Sequence, residues 1–338
     1  MIWTEPFRAI PGARAWKVLY HSRAVDGRDI AVSGVVVAPT GTPPAGGRPV
    51  ISWAHGTHGI ADQCAPSRTA RMVSLLPAIH EFITRGYVVV ATDYEGLGTP
   101  GVHPYLVGDS EGRGVLDIVR AARHIRQADA GTRTIIYGHS QGGQAALFAG
   151  EIADSYAPDL HVLGVVAGAP VAEIGEMLPA GATIPDTLGF VVMGLIGAHA
   201  AYPDTNLTDV LTAHGLAQSA IVNTKCFDAV LTAFRQPVAN VVAHNPADVP
   251  AFSQILAHDT AGNTQTAAPI LVFQGLADNV VYKAFTDTYV KQACAIGDRV
   301  LYKTYSAIDH YHEVTASKTD ALTWITNRIA GQPAPTTC

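Results

Sequence analysis

The chain predicts an α/β fold: a mostly parallel central sheet with helices on both faces and an inserted helical cap. Three observations carry this. Short apolar runs alternate with stretches of helical periodicity over residues 50–167 and again over 269–329. Between them lie roughly 90 residues of helical-looking pieces without a clear strand, too long for a loop in a compact domain. At 338 residues and 48% hydrophobic, the chain can bury one large core and an inserted subdomain.

Taken in order, residues 16–24 and 30–38 alternate or run apolar around Asp26-Gly27, the pattern of an antiparallel hairpin. Residues 39–49 are a Gly/Pro-rich connection. Residues 50–54 read as a strand, 72–84 as a helix stopped by Gly86, and 87–92 as a strand. Residues 114–127 carry apolar side chains at helical spacing. A strand over 133–137, a helix over 141–156 and a strand over 160–167 follow. This succession implies parallel pairing with crossovers on both faces. Strands over 269–274 and 299–305, with helices over 280–295 and 315–329, complete the core. The expected organisation is a core of residues 1–169 and 263–338, with the cap, 170–262, over the carboxyl ends of the strands.

Composition excludes several classes. A net charge of -6 leaves no basic stripe for nucleic acid. No apolar run reaches the ~18 residues that span a bilayer. The start, Met1-Ile2-Trp3-Thr4-Glu5-Pro6, lacks the basic and apolar regions of a signal peptide. The chain is therefore either cytoplasmic or a mature secreted form. Cys64, Cys226, Cys294 and Cys338 are dispersed, with no Cys-x-x-Cys pair. An even, dispersed set fits two disulfides in an exported protein, and a terminal cysteine is a poor candidate for a free thiol.

The most informative stretch is Gly138-His139-Ser140-Gln141-Gly142-Gly143, between a strand and a helix. A serine on such a turn is held with its hydroxyl exposed at the end of a sheet, and the glycines let strand and helix close around it. Its hydroxyl becomes a nucleophile only when a base takes the proton and a third group orients the base. On this fold the partners follow as Asp or Glu, then His, each after a late strand. Asp278 follows the strand over 269–274, and His310 the strand over 299–305. His312 shares that loop and is the rival base. His310 lies nearer the strand end, and Asp278 is preferred over the adjacent Asp309 as the orienting acid.

The developing oxyanion needs two donors. The backbone N–H of Gln141 is one. Thr57, in Trp53-Ala54-His55-Gly56-Thr57-His58-Gly59, is the expected second. His55 and His58 lack the further ligands a metal would need. Gly96-Leu97-Gly98-Thr99-Pro100-Gly101 matches a dinucleotide motif, but Pro100 opposes the helix that must open inside it. No metal or cofactor is expected.

These segments, with Asp93-Tyr94-Glu95-Gly96-Leu97-Gly98 and Gln274-Gly275-Leu276-Ala277-Asp278, together resemble the secretory lipase family. This is the lipase A-like group of the α/β-hydrolase superfamily, with its actinobacterial lipases and esterases. The resemblance spans nearly the whole chain and is weakest over 170–262. It implies the α/β-hydrolase fold, with Ser140 as nucleophile, Asp278 as acid and His310 as base. It also implies export, with disulfides Cys64–Cys226 and Cys294–Cys338.

The expected activity is carboxylic-ester hydrolysis of a small-molecule or lipid ester through an acyl-enzyme. A serine peptidase or acyltransferase on the same fold, and a non-catalytic binding protein, are the alternatives. Residues 188–196 read either as the lining of an acyl tunnel or as a packed helix. Contact with a lipid interface would run through the cap.

Overall fold

The computed structural model describes every residue of the chain except Ile2. Its strands are β1 (Trp3–Phe7), β2 (Ala13–Arg23), β3 (Asp29–Pro39), β4 (Arg48–Ala54), β5 (Val88–Thr92), β6 (Ala130–His139), β7 (His161–Gly168), β8 (Ile270–Gly275) and β9 (Val300–Tyr305). They form one nine-stranded sheet in the order β1-β2-β3-β5-β4-β6-β7-β8-β9. Pairing is antiparallel from β1 through β5 and parallel from β5 onward. The α/β-hydrolase fold expected from the sequence is this one. The β2–β3 hairpin turns at Asp26-Gly27, as the sequence predicts, with Gly27 at φ 83°.

Strands alternate their side chains between two apolar layers, as a sheet covered on both faces requires. On one face Val36, Val90 and Ile136 pack against α3 (Gly108–Arg123) and α4 (Gln141–Tyr156). Tyr289 and Ala293 of α11 (Lys283–Ala295) join that layer. On the other face Val37, Ile51, Val89 and Phe273 meet α1 (Met72–Leu75), α2 (Ile79–Thr84) and α12 (Glu313–Ile329).

Three elements differ from the sequence reading. β1 adds an outer strand whose Thr-Glu-Pro sequence has no apolar alternation; Pro6 is tolerated because β1 lies at the sheet edge. The helix expected over 72–84 is broken into α1 and α2. Pro77 disfavours the helical region for Leu76, which is extended, and Ala78 turns left-handed at φ 50°. Helix α3 starts at Gly108 rather than at 114, because Gly108 and Gly112 allow it to close on Phe148 and Ala149 of α4. That extra turn carries Glu111.

Between β7 and β8 lie α5 (Ile174–Gly181), α6 (Leu188–Ala201), α7 (Ala213–Gln218), α8 (Phe227–Phe234), α9 (Val238–Val241) and α10 (Pro250–His258). Their buried side chains, among them Leu188, Val192, Leu195, Phe234 and Phe252, form an apolar cluster of their own. Disulfides join Cys64 to Cys226 and Cys294 to Cys338, the pairing implied by the resemblance. The first ties the start of α8 to the segment after β4. The second pins the tail, whose Thr337 N–H donates to the Val300 carbonyl at 2.8 Å.

Candidate active site

Ser140 sits between β6 and α4 at φ 60°, ψ -120°, a conformation unfavourable for any residue with a Cβ. Crowding around the turn imposes it. A Cβ on Gly138 would lie 1.9 Å from the Gly142 carbonyl oxygen, and one on Gly142 2.0 Å from that of Ala54. The Ser140 N–H donates to the Gly168 carbonyl at 2.9 Å, and its own carbonyl accepts from Gly143 at 2.9 Å. The hydroxyl is thereby presented at the carboxyl edge of the sheet.

His310 reaches Ser140 from the loop after β9. Its Nε2 lies 2.9 Å from Ser140 Oγ, and its Nδ1 lies 2.8 Å from Asp278 Oδ2. All three side chains are buried. The Asp278 carboxylate is held by further donors: the Val280 and Val281 N–H groups at 2.9 Å, and Gln274 Nε2 at 3.2 Å. Gln274 is itself fixed by Thr286, whose hydroxyl donates to Oε1 at 2.7 Å. His312, the rival base, lies on the solvent side with its side chain 74% exposed, and Asp309 occupies it at 2.7 Å.

His139 supports this arrangement from below. Burial pushes its imidazole down to about 3, so the ring is neutral and its Nε2–H donates to the His310 carbonyl at 3.0 Å. Glu313 opens α12 beneath the same loop, and burial pushes its carboxyl up to about 7. The motif shows His139 in sequence; nothing in sequence marks Glu313 or Gln274 as a supporting group.

The loop after β4 passes beside Ser140. A Cβ on Gly56 would lie 3.6 Å from Ser140 Cβ. His55 and His58 direct their Nδ1 atoms to the Gly56 carbonyl at 2.7 and 2.8 Å. Thr57 Oγ1 meets the buried Tyr105 hydroxyl at 2.8 Å. Among the described residues no group of three His, Cys, Asp or Glu side chains is placed to hold a metal ion.

The other expected donor, Gln141, heads α4, where the first N–H groups have no intrahelical partner. Its side chain runs away from the cleft. Its Nε2 donates to Glu111 Oε1 at 2.7 Å and lies 3.0 Å from His103 Nε2. Glu111 Oε1 also accepts the Leu106 N–H at 3.0 Å. Burial raises the Glu111 carboxyl to about 8 and lowers His103 to about 4.

A pH effect on stability follows. In the unfolded chain a glutamate loses its proton near the ordinary 4.5, whereas folded Glu111 keeps it to about 8. Between those limits folded Glu111 binds more protons than it does in the unfolded chain, so its contribution to stability falls as pH rises. Asp259, raised by burial to about 8, and Glu313 act in the same sense. The melting temperature of Glu111→Gln is therefore expected to decline less than the wild type's between about pH 5 and pH 9. The amide has no proton to lose, and its oxygen still accepts from Leu106 and Gln141. Parallel slopes in thermal melts would contradict the assignment of this proton to Glu111.

The sheet order, the strained serine between β6 and α4, and the helices inserted after β7 place the chain among α/β-hydrolase-fold proteins. The described residues contain no single helix long and apolar enough to cross a membrane. Residues 66–337 match the family model described as secretory lipase. The chain belongs to that family and so to the carboxylic ester hydrolases. It is 25% identical over 94% of its length to a probable inactive lipase of Mycobacterium tuberculosis, of which it covers 74%. It is 26% identical over 96% of its length to a secreted triacylglycerol lipase of Malassezia globosa, also covering 74%. Against lipase A of Moesziomyces aphidis, at 25% identity over 68% of this chain, it spans 51% of the relative. Candida antarctica lipase A in its closed state has the same fold, with TM-score 0.86 and 21% identity over 100% of this chain and 83% of that one. The rice cell wall degrading esterase LipA of Xanthomonas oryzae superposes with TM-score 0.78 and 19% identity over 95% of this chain and 92% of that one.

Proposed function

We propose that the chain is a serine carboxylic-ester hydrolase acting through Ser140, His310 and Asp278. The observation that carries this reading is the single imidazole bridging a hydroxyl at 2.9 Å and a carboxylate at 2.8 Å. Ser140 Oγ attacks the ester carbonyl carbon as its proton passes to His310 Nε2. Asp278 stabilises the imidazolium through the Nδ1–H. Collapse of the tetrahedral intermediate breaks the bond to the alcohol oxygen, and His310 returns the proton to that oxygen. Water then attacks the acyl-enzyme, with His310 again as base, and Ser140 leaves protonated.

The oxyanion is held by the N–H groups of Gln141 and Thr57. Support for Thr57 comes from the two histidines on the Gly56 carbonyl. In a trans peptide the N–H points opposite to the carbonyl. With Gly56 O fixed toward His55 and His58, the Thr57 N–H is turned the other way. Gln141 is steadied through Glu111 and His103.

Residues 170–262 act as a cap over the site, and the chain works as an exported protein, a reading supported by its two disulfides. Contact with a lipid surface has its best-placed apolar side chains on the loops after β8 and β9. Leu276, Tyr282 and Tyr311 are exposed there, against Ile184 in the inserted segment.

Hydrolysis of p-nitrophenyl butyrate beside a peptide p-nitroanilide tests the reading. Ester cleavage without amide cleavage is expected. Comparable amide cleavage would make the protein a peptidase. Cleavage of neither would leave a binding protein, the outcome that the inactive designation of the mycobacterial relative makes worth testing.

A further inference from the structure

The cleft above Ser140 holds about 250 Å³. That is below the ~300–1,000 Å³ of pockets that enclose drug-sized ligands. Its cap-side boundary is a pair of aromatic rings, Phe190 of α6 and Phe227 of α8, with centroids 5.5 Å apart and planes tilted by 56°. Resting on the ester-hydrolase reading above, we infer that Phe190 and Phe227 form a fixed end wall of the acyl subsite, immobilised by the Cys64–Cys226 crosslink, and restrict the enzyme to esters of short acyl chains.

The reaction assigns the sides of the cleft. His310 must protonate the departing alcohol oxygen, so the alcohol lies along the wall of His310, Tyr311 and Val314. The acyl chain extends the other way, toward the two phenylalanines.

The wall is held from two directions. Phe227 directly follows the crosslinked Cys226, and its N–H donates to the His58 carbonyl at 3.0 Å. The chain there approaches the loop of Thr57 so closely that a Cβ on Gly59 would lie 3.0 Å from Cys226 Cα. The segment bearing Phe227 is therefore coupled covalently and by a main-chain bond to the loop that carries the oxyanion donor. Phe190 cannot recede either. A Cβ on the adjacent Gly189 would lie 3.0 Å from Leu231 Cα, and one on Gly197 2.4 Å from the Tyr105 nitrogen. Behind Phe190, the side chains of Leu188, Val191, Val192, Met193 and Leu195 are buried in the core of the inserted helices. Of residues 188–196, these five pack as core while Phe190 lines the cleft.

The test is kcat/KM for p-nitrophenyl esters from acetate to dodecanoate. In the wild type the octanoate-to-butyrate ratio is expected to be about 0.1 or below, since a single methylene against a fixed pocket changes rates ~10-fold or more. Phe190→Ala and Phe227→Ala should each raise that ratio about tenfold or more. The double variant Cys64→Ser/Cys226→Ser, which leaves both rings in place, should raise it in the same direction. If Phe227→Ala does not fold, Phe190→Ala and the double variant carry the test. A wild-type profile flat to dodecanoate, or alanine variants with the wild-type ratio, would overturn the inference. So would a cut-off seen only when the alcohol of an acetate ester is lengthened. Labelling of Ser140 by a fluorophosphonate separates the two levels. A labelled enzyme with a flat profile loses only the acyl wall, whereas a folded enzyme that is neither labelled nor active loses the ester-hydrolase reading beneath it.

Discussion

Ser140→Ala is expected to lower ester turnover by roughly 10⁴-fold or more while leaving the fold intact, the size of loss that follows removal of a triad serine. The change deletes one oxygen, whose bond is to His310 Nε2. The strained backbone at φ 60° is imposed by the glycines around it, and alanine is strained there no more than serine. The elbow's main-chain bonds to Gly168 and Gly143 do not involve the hydroxyl. The melting temperature should therefore stay within a few degrees of the wild type's. A folded Ser140→Ala protein with wild-type turnover would remove the proposed nucleophile.

His310→Ala should be about as damaging, and His312→Ala nearly silent. His310 is buried and bonds both Ser140 and Asp278, so its loss removes the proton acceptor and donor of the proposed mechanism. A fall of roughly 10⁴-fold in kcat is expected. The His312 side chain bonds to Asp309 on the solvent side, away from Ser140, and surface changes of this kind usually alter stability by no more than ~0.5 kcal/mol. Steady-state kinetics of the two variants decides the matter. The reverse order would move the base to His312 and require the loop after β9 to be rearranged in the working enzyme.

Much of this was legible in the sequence because it depends on local signals. The strand-turn-helix around Ser140, and an acid and a histidine just beyond late strands, are patterns along the chain. The fold follows from the same alternation. What stayed hidden depends on tertiary packing. Periodicity shows helix α3 only from 114, because its first turn, Gly108-Asp109-Ser110-Glu111-Gly112, looks like a polar loop. It is helical because its glycines close against α4, and this alone brings Glu111 to Gln141. Gln274 reads as one more strand residue, yet it braces Asp278 across the turn after β8. Glu313 reads as an ordinary acidic helix start; its burial under the His310 loop is set by β7, where a Cβ on Gly168 would collide with its carboxylate. The β1 strand carries no alternation because it is an edge, and Pro77 breaks a helix that periodicity alone would continue.

Peptide mapping after treatment with a fluorophosphonate tests the central claim most directly, because the reagent reacts fastest with a serine whose proton is withdrawn by a neighbouring base. The expected result is one phosphonyl group per chain, on the peptide containing Ser140, abolished in Ser140→Ala and strongly slowed in His310→Ala. An unmodified, folded wild-type protein, or an adduct on any other residue, would contradict the assignment of Ser140, His310 and Asp278 as the catalytic group.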